Sequence, residues 1–529
     1  MTKKTCSSKL PQPNPSTHHI LLTSILATAI ELLLSPPSSA AATAISPPPP
    51  PLPILPIPSR RQISWQLSDM ALFFHFGINT FTDSEWGTGR ADPTLFNPTR
   101  LNAGQWIAVA KAAGFGRVIL TAKHHDGFCL WPSDYTDYSV KSSPWRNGAG
   151  DVVGELAAAA RAAGVQMGIY LSPWDRHDSS YGKTLPYNEY YLGQMTELLS
   201  RYGEIREVFL DGAKGEGEKD MKYFFDEWFD LIHQHQPMAA IFSDAGPDTR
   251  WIGNELGSAD ATCWSLLNQS SVEIGHGDAE YLGQGDPNGR DWVPAECDVS
   301  IRPGWFWHAS ESPKPASALL DLYYKSVGRN CLLLLNVPPN SSGLISPEDI
   351  KALEEFSDMR TSIFSDNLAQ RASISASTTR GNLGDDSRYG AHNILIDSIY
   401  SYWAPNGTRR QSSWTLFLDF PETISFNVLL VQEPIQMGQR IAAFRLDFLN
   451  ESGEWEKATN GTTVGFRRLL LFPFVKARRL RLLIEESRAA PLISYVGLYV
   501  DRFSVAGDDS TAHVHIEQTI RQNISRFDI

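Results

Sequence analysis

Between about Arg61 and Phe364 the chain alternates apolar runs of strand length with segments of helical spacing, and this alternation limits the possible folds more than any other feature. The strand-like runs are Met70–Ile78, Arg117–Ala122, Gln166–Leu171, Glu207–Leu210, Met238–Ser243 and Cys331–Asn336. The helical segments are Trp106–Ala113, Val152–Ala163, Glu189–Tyr202, Lys219–His235, a stretch around Ser317–Val327, and Pro347–Phe356. Strands separated by helices argue for a parallel sheet. Val208, Phe209 and Leu210 are continuously apolar, as expected of a parallel strand covered on both faces. Roughly 300 residues of this rhythm without a GxGxxG motif favour an α/β fold of the (β/α)8 barrel type over a doubly wound nucleotide fold, with the barrel spanning 62–364.

The rhythm changes after Ser365. Trp414–Phe420, Val428–Gln432, Ala443–Leu449 and Arg479–Glu485 are short β-rich runs separated by turn residues, which predicts a C-terminal β-sandwich over 365–501 and a polar tail over 502–529. At the other end, Lys3 and Lys4 precede the mostly apolar Ile20–Leu34, and small residues follow through Ala44. This is the layout of a secretory signal peptide over 1–44, interrupted by Glu31 and short for a membrane span. Pro47–Pro58 dominates a stiff polyproline spacer over 45–61, expected to stand outside the fold. Six Asn-x-Ser/Thr triplets, at Asn268, Asn340, Asn406, Asn450, Asn460 and Asn523, fit an exported chain carrying N-linked glycans. With the signal removed, nothing predicts a membrane partner.

The net charge of -13 argues against a nucleic-acid partner, which needs clustered Lys and Arg. Cys6, Cys129, Cys263, Cys297 and Cys331 include no CxxC pair, so a Cys-based zinc site is not expected. If Cys6 leaves with the signal, the remaining four allow one or two disulfides whose pairing the sequence does not give.

In a barrel of this kind the chemistry sits at the carboxyl ends of the strands. Those ends read His75-Phe76-Gly77, Lys123-His124-His125-Asp126-Gly127-Phe128, Tyr170-Leu171-Ser172-Pro173-Trp174, and Asp211-Gly212. The fifth leads to Ser243-Asp244 and on to Arg250-Trp251-Ile252-Gly253-Asn254-Glu255. The loop after the first strand adds Glu85-Trp86-Gly87. A carboxylate such as Asp211 at a strand end is costly unless bonded, paired or working, although Asp also caps helices and orders loops there. Three chemistries compete: a metal hydrolase on His75, His124 and His125, a sugar-binding barrel without catalysis, and a glycosidase. The metal reading is weak, because the first strand supplies one imidazole and adjacent His124 and His125 tend to point apart in extended chain. A glycosidase needs two carboxylates, one ionised and one held protonated, with aromatic walls for the sugar ring. The 15 Trp, 17 Tyr and 25 Phe suit such walls as well as cores.

Taken together, His75-Phe76-Gly77, Glu85-Trp86-Gly87, Lys123–Phe128, Leu210-Asp211-Gly212-Ala213 and Arg250–Glu255 resemble glycoside hydrolase family 29, the α-L-fucosidases, in order over about 63–500. The resemblance implies a retaining double displacement on a fucosylated glycan, with no cofactor and no metal. Asp211 matches the nucleophile and Glu255 the general acid/base. His75, Glu85, Trp86, His124, His125 and Tyr170 match fucose-binding positions. Trp305 and Trp307 are candidates for stacking on the sugar or its neighbour, and Glu296 for recognising a branching sugar or acting as a competing acid. The Gly253-Asn254-Glu255 placement resembles the branch that cleaves α-1,3- and α-1,4-linked fucose. Leader and β-rich tail are similar to plant members, which implies secretion to the apoplast. Phe209 stands where many relatives carry Trp, which implies an altered stacking wall. Another retaining exo-glycosidase, such as an α-galactosidase, or a non-catalytic fucose binder are the competing expectations.

Overall fold

The computed structural model describes residues 48–215, 217–381, 387–407 and 414–504. The expected signal peptide, part of the spacer, most of the polar tail, Cys6 and Asn523 lie outside the described residues.

Eight parallel strands close into a barrel: β1 (Met70–Phe74), β2 (Arg117–Lys123), β3 (Gln166–Leu171), β4 (Glu207–Phe209), β5 (Ala240–Ser243), β6 (Thr249–Trp251), β7 (Ala295–Ser300) and β8 (Cys331–Asn336). Closure runs through β8 and β1, where Met70 pairs with Leu333. The two-residue period of each strand sorts its side chains. Ala71, Phe73, Ile119, Tyr170, Phe209, Phe242, Leu332 and Leu334 fill the barrel interior, with Phe209 stacked on Phe242 at 3.8 Å between ring centroids. Leu72, Phe74, Val118, Leu120, Ile169, Val208, Leu210 and Ile241 face outward into the large core under the helices. At the amino end, Trp65 of the helix Arg60–Gln66 joins the interior and donates its indole N–H to Glu207 of β4 at 3.0 Å.

The βα alternation holds from β1 to β5, with helices Ala103–Ala112, Val152–Ala163, Thr184–Arg201 and Phe225–His235 between strands. It breaks between β5 and β6, which only the turn 244–248 connects. The β6–β7 connection is long and carries the short helix Ala279–Gln284 and a two-stranded ribbon, Leu266–Leu267 with Asp291–Trp292. Thr249–Trp251, read as loop in the sequence, is thus a barrel strand. Cys297 of β7 and Cys331 of β8 form a disulfide across neighbouring strands, and Cys129 and Cys263 are free and buried.

The C-terminal β domain, expected as a β-sandwich, is among the described residues an antiparallel sheet of six strands around a core of its own. Its strands are β9 (Ser373–Ala376), β10 (Trp414–Gln432), β11 (Ile441–Leu449), β12 (Trp455–Gly461), β13 (Arg468–Ser487) and β14 (Tyr495–Tyr499). β10 and β13 are 19 and 20 residues long, and register shifts along their pairing re-aim their faces. Trp414, Leu416, Leu418 and Phe426 face the domain's own core. Beyond the second shift, Val428 and Leu430 face the barrel core instead, joined by Leu469, Tyr495 and Tyr499. Tyr324 of the barrel helix Ala316–Lys325 donates to Asp501 at 2.9 Å, a buried bond across the same contact.

Residues 50–58, expected as a free spacer, are part of the fold. Proline-rich chain offers carbonyls and few donors. Arg440 donates to the Leu52 carbonyl at 2.7 Å and Arg488 to that of Leu55 at 3.2 Å, while the Ile54 N–H donates to the Met437 carbonyl at 3.0 Å. Among the described residues, no helix is long and apolar enough to cross a membrane.

Candidate active site

The polar strand ends converge at the carboxyl mouth of the barrel. His75 follows β1, His124 and His125 follow β2, Tyr170 lies on β3 with Ser172 just beyond, and Asp211 stands two residues past β4. Trp251 ends β6 ahead of Glu255, Asp298 lies on β7, and Asn336 ends β8.

Asp211 is fixed at both oxygens. Oδ2 accepts from the Tyr170 hydroxyl at 3.0 Å and lies 3.6 Å from His125 Nε2. Oδ1 accepts from the Ala213 N–H at 2.7 Å. Its side chain remains 26% accessible, so a reactant can reach a carboxylate whose orientation is already set. Gly212 leaves room for this arrangement, since a Cβ there would lie 2.4 Å from Asp244 Oδ1.

The histidines are neutral and their tautomers follow from their partners. Ser172 donates its hydroxyl to the Trp174 carbonyl at 2.6 Å, so its oxygen accepts from His125 Nδ1 at 2.7 Å. Asn336 Oδ1 accepts from the His75 backbone N–H at 3.2 Å and from His75 Nδ1 at 2.9 Å. In both rings Nε2 is left as the acceptor. Burial pushes the His75 pKa down to about 3, and that of His125 to about 4 against the opposing pull of Asp211. Burial, then the neighbouring imidazoles, also lower His124 well below its ordinary value. His124 stacks parallel to Tyr170, with ring centroids 5.6 Å apart. The expectation that His124 and His125 point apart is not met: their ring centroids are 4.1 Å apart. β2 ends at Lys123 and a turn closed by Gly127 N–H on the His124 carbonyl folds both rings to one side. Among the described residues, no group of three His, Cys, Asp or Glu is arranged to hold a metal ion.

Glu255 stands on an exposed loop, with Oε2 accepting from the Trp305 indole N–H at 3.3 Å. Although the residue as a whole is exposed, burial of its carboxyl end among neighbouring groups and the negative charge of Asp211 raise its pKa, and Glu85 adds to this. A carboxyl pair with one member held in place by hydrogen bonds and the other biased toward protonation is the arrangement that glycoside cleavage requires. Aromatic surfaces bound the space. Trp305 packs on His75 at 5.0 Å, and the half-exposed Trp86 meets Trp174 edge-on at 5.4 Å and His125 at 6.2 Å.

Comparisons with known proteins agree with this geometry. The family model described as alpha-L-fucosidase matches residues 75–359, which include both carboxylates. Alpha-L-fucosidase 1 of Arabidopsis thaliana is 63% identical over 479 residues, covering 90% of this chain and 94% of that protein. This chain belongs to the α-L-fucosidase family. Among solved structures, a Ruminococcus gnavus family 29 fucosidase in complex with fucose superposes with a TM-score of 0.80 at 34% identity, covering 86% of this chain and 96% of that one. A glycoside hydrolase family 29 member from an unknown rumen bacterium gives a TM-score of 0.75 at 39% identity, covering 87% and 79%. The protein is a glycoside hydrolase with α-L-fucosidase activity.

Not every expected residue reaches the mouth of this α-L-fucosidase. Glu296, expected to meet a branching sugar, is fully buried near the amino end of the barrel, beside Glu207 and Arg117. It faces inward as the second residue of β7, below the layer that Asp298 occupies. Two residues along the same strand face, Asp298 is the carboxyl that does underlie the site. Its Oδ1 accepts from the Trp251 indole at 3.0 Å, and burial, then Glu255 and Asp211, raise its pKa well above the carboxylate range. The sequence signal was the Glu296-x-Asp298 spacing, which places both on one face without giving depth. Glu85 is largely occupied by the protein, accepting from the backbone N–H of Trp305 and Phe306 and from His308. Trp307 is half-buried on the same loop.

Proposed function

We propose that the enzyme is a retaining exo-α-L-fucosidase that removes α-1,3- and α-1,4-linked L-fucose from branched glycans by double displacement. The observation that carries the mechanism is the asymmetry of its two carboxyls: Asp211 is held by Tyr170 and the Ala213 N–H, while Glu255 is raised by burial and by Asp211 itself. Asp211 attacks the anomeric carbon as Glu255 delivers a proton to the departing oxygen. A fucosyl ester forms on Asp211, and Glu255 then takes the proton from the attacking water. His75 and His125, neutral with Nε2 as acceptor, accept hydrogen bonds from hydroxyls of the sugar, and Trp305 and Trp86 supply apolar surface. The linkage reading is supported by the resemblance of the Gly253-Asn254-Glu255 placement to the branch that cleaves α-1,3- and α-1,4-linked fucose.

The enzyme is further proposed to be exported to the apoplast and N-glycosylated. Asn460 is exposed, and Asn450, Asn268, Asn340 and Asn406 are half-buried on the surface.

The decisive experiment is fucose release from an α-1,4-fucosylated trisaccharide and from a 2-linked fucoside, by wild type and Asp211→Gly. Release from the branched substrate only, lost in the variant and restored by azide as the inverted fucosyl azide, is the expected result. Equal release from the 2-linked fucoside overturns the linkage assignment. Failure of azide with otherwise intact binding overturns the nucleophile.

A further inference from the structure

A chain of hydrogen bonds runs from the rim of the barrel mouth to the carboxyl of Glu255. It begins at His308, whose Nδ1 lies 2.6 Å from Asp83 Oδ1 and whose Nε2 lies 2.6 Å from Glu85 Oε1. Carboxylate oxygens only accept, so both ring nitrogens carry protons and the ring is an imidazolium. Burial alone would lower the His308 pKa; the bonds to Asp83 and Glu85 and the charges of Glu85 and Glu311 reverse that and raise it. Asp83, Glu85 and Glu311 are the charged groups that face it.

The next link is Glu85. Its Oε2 accepts from the Trp305 N–H at 2.9 Å and its Oε1 from the Phe306 N–H at 3.2 Å. Gly304 makes this approach possible, since a Cβ there would lie 2.6 Å from Glu85 Oε1 and 2.9 Å from the His308 ring. The carbonyl of Trp305 is held separately by Asn336 Nδ2 at 2.7 Å. With its backbone fixed from both sides, Trp305 directs its indole N–H to Glu255 Oε2 at 3.3 Å.

We infer that His308 is a positioning residue: by bridging Asp83 and Glu85 it holds the Glu85 carboxylate against the Trp305 backbone, and so fixes the indole that orients Glu255. The inference rests on the assignment of Glu255 as the acid/base. Without the imidazolium, Asp83, Glu85 and Glu311 are like charges around one half-buried carboxylate, and the loop loses the group that neutralises them. Glu255 stands on an exposed loop, so loss of its indole donor leaves its carboxyl free to misorient.

The test compares His308→Gln, Asp83→Asn and Glu255→Gln on two substrates. One is the α-1,4-fucosylated trisaccharide, whose leaving group needs a proton. The other is α-L-fucosyl fluoride, whose leaving group departs with little acid help. His308→Gln is expected to lower kcat on the trisaccharide by about ten- to a hundredfold. For the fluoride, kcat/KM, which reports formation of the fucosyl ester alone, is expected to stay near wild type. The basic limb of the pH profile of kcat/KM moves to higher pH, because Glu255 loses a donor to its ionised form and feels an unbalanced Glu85. Asp83→Asn, at a side chain 80% in solvent, gives a smaller change of the same kind and covers the case in which His308→Gln does not fold. Equal loss on both substrates with an unmoved pH limb makes His308 merely structural and overturns the inference. If Glu255→Gln discriminates between the substrates and the His308 and Asp83 variants do not, the relay falls while the acid stands. If Glu255→Gln does not discriminate, both fall.

Discussion

Tyr170 donates its hydroxyl proton to Asp211 Oδ2 across 3.0 Å, from a side chain that is itself 1% exposed. Burial, then the charge of Asp211, push the Tyr170 pKa well above its ordinary value, so the phenol remains a donor throughout the working range of pH. The bond fixes the carboxylate plane and leaves its accessible edge to the reactant. A hydrogen bond to a charged group contributes about 1.5–3 kcal/mol. Tyr170→Phe is therefore expected to lower kcat by about ten- to a hundredfold with a smaller effect on KM. The ring retains its packing on Phe209 and His124, so the unfolding midpoint should change little. Unchanged kcat in steady-state assays would show that the bond does not orient the nucleophile.

Gly212 separates the nucleophile from the turn that follows it. A methyl there meets the Asp244 carboxyl, with the nearest oxygen at 2.4 Å. Asp244 cannot swing aside freely, because its Oδ2 holds the Gly275 N–H at 2.7 Å. Gly212→Ala must therefore displace the backbone beside Asp211. Overpacking of this kind costs about 1–3 kcal/mol in stability. The larger consequence is catalytic: a shift of the carboxylate by a fraction of an ångström is expected to lower kcat by at least about tenfold. Crystal structures and kinetics of the variant check this, and wild-type turnover with an undisplaced Asp211 would refute it.

Glu296 and Glu207 form a buried pair whose members do different things. Arg117 lies 2.9 Å from Glu207 and pairs with it. Burial, then the charge and hydrogen bond of Glu207, raise Glu296 well above the carboxylate range and keep it protonated. Glu296→Gln replaces one neutral donor by another, so KM for branched and unbranched fucosides should both stay at wild-type values. Glu207→Leu leaves the Arg117 guanidinium, 1% exposed, without its counter-charge, at a cost of about 3–5 kcal/mol. Chemical denaturation reads the second effect. A selective rise in KM for the branched substrate in Glu296→Gln would place Glu296 at the glycan after all.

The barrel was legible where its strands are apolar on both faces, as in Val118–Leu120 or Val208–Leu210, because no other structure buries such runs so economically. β7 was not legible, because its inward Glu296 and Asp298 interrupt the apolar run, and β6 is three residues long with no helix before it. In the C-terminal domain, Trp414–Phe420 and Val428–Gln432 look like two strands and are one. Pro421, which withholds a ladder N–H, falls inside the register shift between Asp419 and Ile424, where no partner is needed. Residues facing the reactant, such as Asp211 and His125, were visible as polar groups at strand ends. His308, Trp251 and Asn336 act on other protein atoms, and only their distances reveal them.

Asp126, beside the two site histidines, gives the fold a pH dependence of predictable sign. Its carboxyl is buried, accepts from the Phe128 N–H at 2.8 Å, and has its pKa raised from 3.8 to about 7 by burial, with Asp175 adding to the shift. Between these two values the folded protein holds a proton that the unfolded chain has released. Wild-type stability through this group is therefore greatest at acid pH, falls by about 1.4 kcal/mol per unit as pH rises through the window, and levels off above about 7. Asp126→Asn keeps an oxygen for the Phe128 N–H and has no charge to bury. The stability of Asp126→Asn relative to wild type should thus climb from about pH 4 to about pH 7 and then stay constant. Other buried groups, among them His75 and His125, titrate identically in both proteins and cancel in the difference. Urea unfolding of the two proteins across that range measures it. A difference that does not vary with pH would mean that Asp126 is ionised in the folded protein throughout, with Lys123 outweighing its burial.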